Sequence, residues 1–220
     1  MITLETLRGN EAVNAYIKAA DRSLDALGYT EHSHPHVLHV AQTAANILRA
    51  TGHAEHEVEL ARVAAYLHDI GNLVNRVDHS QSGAVMAFRI LDKMEMPPED
   101  IAVVVSAIGN HDEGTGVPVD DVAAALILAD KSDVRRSRVR NSDFASFDIH
   151  DRVNYAVERS EVLIDTEKED IITLSLTINT EVCAVMDYFE IFLQRMILCR
   201  KAAEFLKLRF RLEINGQCLL

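Results

Sequence analysis

Apolar residues recur at helical spacing through the first two thirds of the chain, then give way to alternation. Residues 10–27 form an amphipathic repeat that Gly28 closes. A second repeat starts in "SHPHVLHVAQTAANILRATG". Pro35 suits its first turn, Ser33 or His34 its cap, and Gly52 ends it just past Ala50. Further helices are predicted over about 55–70, ending near Gly71, over 79–94, before Pro97 and Pro98, and over 99–111 and 120–134. Past residue 150 the texture changes. "VNYAVERSEVLID" and "IITLSLTI" are rich in β-branched residues and flank the polar turn "TEKED", which predicts a hairpin. Residues 180–206 read as one long helix, and "LRFRLEI" at 208–214 alternates like a strand. The predicted architecture is mainly α: a helical bundle over 1–150, then a small β-β-α-β appendage over 151–220. That appendage is expected to pack on the bundle or at a homodimer interface.

Polar residues fall on these apolar stripes at particular places. Ala61, Ala64 and Ala65 extend forward to His68 and Asp69, in "YLHDIGN"; Val40, Ala44 and Ile47 extend backward to His36. Met86 and Ile90 extend backward to Gly83 and His79. Ile101, Val104, Val105 and Ile108 extend forward to His111, and Ala123, Leu126 and Ile127 to Asp130. Five helices each place a His or Asp on the core side near a helix end, where burying such a group alone is costly. Taken singly, each has a plainer explanation. His79 or His111 reads as a satisfied core histidine, His68-Asp69 as a helix-end pair, and Asp130 as an ion-pair partner of Lys131 or Arg135. Taken together, they suit a shared divalent cation. His39, His53, His56 and His150 lie in polar surroundings, His34 suits a cap, and His32 is a pocket candidate ahead of the second helix.

Composition narrows the classes. Apolar residues make up 48% of the 220, enough for a core, and the formal net charge is −12. That charge argues against general nucleic-acid binding and against anionic membranes. A small anionic substrate stays compatible, because a bound metal reverses the local sign. Cys183, Cys199 and Cys218 form no CxxC pair, and no 18-residue apolar run or leader-like segment occurs. A cytoplasmic protein is expected.

His36, then His68-Asp69, then Asp130 resembles the HD superfamily of metal-dependent phosphohydrolases. "HDIG" is similar to that family's signature, and "VLHVAQTA" and "LADKSDVRRSR" are similar to its flanking segments, over roughly residues 30–140. His79 with Gly83-Ala84, and His111 in "GNHDEGTGVP", resemble the extra histidines of binuclear members and, distantly, the HD-GYP subgroup. Asn110 and Val117 depart from that subgroup, which argues against its cyclic dinucleotide specificity. The resemblance implies an HD helical bundle with one metal on His36, His68, Asp69 and Asp130. A second would sit on Asp69, His79 and His111, with Asp69 bridging at about 3.5–4 Å. Manganese, iron, magnesium, nickel or zinc would suit such ligands.

The implied chemistry is attack of a metal-activated water on a small phosphorylated substrate, a nucleotide or another phosphate monoester or diester. Asp69 and Lys131 are the catalytic candidates, and Lys131, Arg76 and Arg135 the phosphate-binding ones. Arg136, Arg138 and Arg140 read as helix-end or interface charges, and Asp112 and Glu113 as residues that orient a ligand or water, or as solvated loop. Two other functions fit the same residues: a di-iron oxygenase and a non-catalytic nucleotide-binding sensor.

Overall fold

The computed structural model describes residues 2–219. Helices α1 (Leu4–Arg8), α2 (Glu11–Ala26), α3 (His34–Ala50), α4 (Glu55–Leu67), α5 (His79–Lys93), α6 (Pro98–Gly109) and α7 (Asp121–Lys131) form a bundle. Helix α7, "DVAAALILADK", is apolar on nearly every side and buried from Val122 to Lys131. A helix without a polar face belongs inside a fold, and α3, α4 and α6 surround this one.

The remainder is α8 (Ile149–Ala156), β1 (Val157–Asp165), β2 (Ile171–Ile178), α9 (Val185–Phe205), β3 (Arg209–Ile214) and β4 (Gln217–Cys218). The sheet runs β1-β2-β3-β4, with β2 and β3 parallel and the other pairs antiparallel. Helix α9 is the crossover between the parallel strands, as that pairing requires. It packs on α7 and on β3, so its apolar residues share one continuous core with the bundle.

Past residue 150, three features differ from those the sequence predicts. The first strand begins at Val157, because "IHDRVNYA" forms α8 instead, its first turn held by the Asp148 side chain accepting from the Asp151 amide. The long helix begins at Val185, since Asn179 shapes the preceding residues into a turn: its carbonyl accepts from Val182 and Cys183, and its side chain from the Glu181 amide. A short fourth strand follows Asn215-Gly216, both at positive φ (52° and 76°), the hairpin chemistry of an Asn-Gly pair.

Candidate metal centre

Each of the six predicted metal ligands sits where a helix starts or has just ended. His36 lies in the first turn of α3, behind Pro35. His68 closes α4, and Asp69 leads into a 3-10 turn over Ile70–Leu73. His79 opens α5, His111 lies two residues beyond α6, and Asp130 occupies the last turn of α7. Gly71 makes the α4–α5 approach feasible: a Cβ there would collide with the His79 carbonyl and crowd the Gly83 amide. All six side chains are buried.

Their ligating atoms converge. His36 Nε2 lies 3.4 Å from His68 Nε2 and 3.5 Å from both Asp69 Oδ2 and Asp130 Oδ1. His68 Nε2 is 3.1 Å from Asp69 Oδ2 and 3.6 Å from Asp130 Oδ1. On the other side of Asp69, Oδ1 faces His79 Nε2 at 3.6 Å, and that nitrogen lies 3.2 Å from His111 Nε2. Donors on one ion with bonds of about 2.0–2.2 Å stand about 3–3.6 Å apart, which is the spacing here. His36, His68 and Asp130 form one group with ligating atoms all within 4.8 Å of one another, and His68, Asp69 and His111 form another.

The ring orientations fit metal ligation. His68 Nδ1 donates to the Ala65 carbonyl at 2.7 Å and His111 Nδ1 to the Ile108 carbonyl at 2.6 Å. His36 Nδ1 meets Asp133 Oδ2 at 2.7 Å. With Nδ1 engaged, each Nε2 is left for the interior, as is usual for metal-ligating histidine. Asp69 Oδ1 and its own carbonyl accept from Asn72, whereas the buried Oδ2 finds no hydrogen-bond donor. A buried carboxylate oxygen left in that state is costly unless a cation is its partner. The residues therefore fit a divalent ion.

Electrostatics agree. Burial and Arg138 both work against a charged His36, but Asp130, Asp133 and Asp69 outweigh them and lift its pKa to about 9. For His68, burial is again overcome, by Asp69 and Asp130, and the value rises to about 10. Burial acts to raise Asp69 and Asp130, yet His36 and His68, with Lys131 beside Asp130, hold both well below the usual carboxylate range. His79 and His111 are pushed down, chiefly by burial. The field around His36 and His68 is thus one that favours positive charge, whether proton or metal ion.

Around the ligands lies a layer only partly expected from the sequence. Asp133, buried and overlooked there, accepts from His36 and is gripped in turn by Arg135 and Arg138. Arg138 also donates to the carbonyls of Glu31 and Asp133 at 2.9 and 2.6 Å. Lys131 is engaged rather than free: its Nζ lies 2.8 Å from Asp130 Oδ2 and 2.6 Å from Glu113 Oε2. Arg195 of α9, also overlooked, donates from Nε to Glu113 Oε1 at 3.1 Å. Arg76 lies beside His79, its Nη1 3.2 Å from Nε2, and over the Tyr29 ring.

Arg76, Glu113, Arg138, Arg195, Tyr29 and His32 line a cleft of about 430 Å³ that opens beside the ligands. His32 stands edge-on to His36 with 5.4 Å between ring centroids, so the pocket candidate is in the pocket. Arg135 is not brought there. Its guanidinium is bound to Asp133 and borders a separate cavity with Val134, Val157 and Arg159, because the chain turns outward after α7. The expected phosphate contact from Arg135 is corrected accordingly.

Among the described residues, no helix is long and apolar enough to cross a membrane. No solved structure matches the chain. An uncharacterized protein of Methanocaldococcus jannaschii, MJ1020, is 28% identical over 183 residues, covering 72% of this chain and 70% of that protein. The family model for the HD domain matches residues 35–135, from the first turn of α3 to just past α7. That span holds all six clustered ligands, and the HD superfamily is one of metal-dependent phosphohydrolases. Residues 35–135 of this chain are an HD domain.

Proposed function

We propose that the protein is a metal-dependent phosphohydrolase acting on a small phosphate ester. The observation that carries this reading is the placement of Asp69. One of its oxygens faces His36 and His68 beside Asp130, the other faces His79 beside His111, and the first has no hydrogen-bond partner. His36, His68, Asp69 and Asp130 would hold one ion, and Asp69, His79 and His111 a second.

Divalent ions held this way supply charge neutralisation at phosphoryl oxygens and a more acidic water. The chain's own groups do the rest. Asp133 fixes the His36 ring by accepting from Nδ1, and Lys131 fixes Asp130 by holding Oδ2, which leaves Oδ1 toward the histidines. Arg76, with no carboxylate partner among the described residues, faces the same cleft and would bind a phosphoryl oxygen. Burial of the cluster lowers the local dielectric and strengthens each of these interactions.

The test is to measure metal identity and stoichiometry of the purified protein, then to screen phosphatase and phosphodiesterase substrates with manganese, magnesium, iron and nickel. Asp69→Ala serves as control. Hydrolysis lost together with metal in that variant supports the proposal; full activity or full metal content in it rejects the site. Bound iron with an oxygen-dependent visible band, and no hydrolysis, would favour the oxygenase instead.

A further inference from the structure

The loop between α6 and α7 carries His111, and its shape is fixed from within. The Thr115 and Gly116 amides donate to the Asp112 carbonyl at 3.3 and 2.6 Å, and the Gly114 amide donates to Asp112 Oδ2 at 3.3 Å. A Cβ on Gly116 would stand 2.4 Å from the carbonyl oxygens of Asn110 and Asp112, so the closure needs glycine. A loop tied this way shifts as one piece. Its seat on the rest of the fold therefore helps decide where His111 Nε2 points.

Glu113 reaches out of that loop to cations on two helices. Its Oε1 accepts from Arg195 Nε of α9 at 3.1 Å. Its Oε2 forms a close ion pair, outside hydrogen-bond angles, with Lys131 Nζ of α7 at 2.6 Å. Lys131 Nζ in turn lies 2.8 Å from Asp130 Oδ2. Guanidinium, carboxylate, ammonium and carboxylate thus alternate from α9 to a metal-ligand candidate. The Lys131 side chain is 5% exposed and that of Glu113 24%, so each charge depends on its neighbours more than on water. Without Arg195, one ammonium would have to balance both Asp130 and Glu113. Arg195 is itself braced, its Cζ 4.5 Å from the ring centroid of buried Phe192.

We propose that Arg195 is a positioning residue of the metal centre. Through Glu113 it seats the α6–α7 loop so that His111 Nε2 stays 3.2 Å from His79 Nε2, and it leaves Lys131 free to hold Asp130. Arg195 lies outside the matched HD segment, so α9 of the appendage completes a site whose ligands all come from the HD domain. The inference rests on the two-ion reading of the cluster and is independent of which ester is cleaved.

Manganese binding to the full chain tests this, read by isothermal titration and by the electron paramagnetic resonance signal of a coupled ion pair. The parent should bind two ions. Arg195→Gln should weaken the ion on His79 and His111 about 10–100-fold and remove the coupled signal, while the ion on His36 and His68 keeps its affinity. Arg195→Lys restores the charge and should recover part of the loss. Glu113→Gln should reproduce the loss, and it carries the test if Arg195→Gln does not fold. The double variant should lose no more than either single one, because all three break the same contact. Arg200→Gln, on an exposed part of α9, should bind as the parent does. Both affinities unchanged in Arg195→Gln, both weakened alike, or losses that add in the double variant overturn the inference while leaving the metal centre standing. A parent that binds fewer than two ions also overturns it. Failure of the metal reading itself has a different signature: an Asp69→Ala protein that binds manganese like the parent.

Discussion

Two clusters in this molecule have similar ingredients and different meaning. His53, Glu57 and Asp121 bring ligating atoms within reach of one another, as the HD cluster does. Each of them has local work, however. His53 Nδ1 meets Thr51 Oγ1 at 2.9 Å, Glu57 accepts from the Ala54 amide ahead of α4, and Asp121 sits in the first turn of α7. All three are half-exposed, so water satisfies what remains. In the HD cluster the rings are pinned from behind, the donors are buried, and one carboxylate oxygen makes no hydrogen bond and faces only the histidine rings. Proximity of His and Asp is common; an unmet demand for positive charge inside the fold is what marks a site.

The largest test of that contrast is a pair of substitutions. Asp69→Ala should abolish metal retention and lower hydrolysis about a thousandfold or more, since metal-based charge stabilisation is worth several kcal/mol. Asp121→Ala should leave metal content, read by elemental analysis, as in the parent. Loss of bound metal in Asp121→Ala would erase the distinction.

Acidity sharpens it next. His36 and His68 titrate near 9 and 10 in this fold, against about 6.5 in an unfolded chain. Values raised on folding mean that the metal-stripped protein draws its full benefit from these two groups below about pH 6.5, and loses it as pH climbs through 9 to 10. A cation must displace those protons, so its affinity should rise with pH, about tenfold per unit for each proton released. Manganese titrations at several pH values between about 6.5 and 8.5 check the slope, and a flat profile contradicts it.

Support from behind is worth somewhat less. Asp133→Asn removes the charge that orients His36 and should weaken metal binding about 10–100-fold, measured by competition with a chelating dye. The smallest effect concerns the backbone. Gly71→Ala forces the α4–α5 approach apart and should cost about 1–3 kcal/mol in denaturant unfolding. An unchanged midpoint would show that this junction yields freely.

What could be read from sequence follows the same physics. His36, His68, Asp69, His79, His111 and Asp130 were visible because each interrupts an apolar stripe, and all six are buried together. Asp133 was not, because it follows the end of α7 in "KSDVRRSR", where an aspartate looks solvated, and its partner His36 is 97 residues away. Arg195 was hidden for a similar reason: it is one of several charged residues along α9, and it meets Glu113 across 82 residues. Bundle helices α2 to α7 were legible from their periodicity, whereas α1, a five-residue helix, is too short to show one. Helix α8 was missed in a β-branched stretch, although Asp148 three residues before Asp151 is a capping signal. The short last strand was likewise announced by Asn215-Gly216.

The ligands come from α3, the end of α4, the start of α5, the exit of α6 and α7, so the centre gathers chain from residue 36 to residue 130. An ion seated there is a non-covalent cross-link among five segments that an unfolded chain keeps apart. Because only the folded arrangement presents these donors at such spacing, ion concentration enters the folding equilibrium: at about a thousand times its dissociation constant, the ion adds about 4 kcal/mol. Chelation would then loosen the bundle as well as silence the site, and metal supply would set how long the chain survives proteolysis.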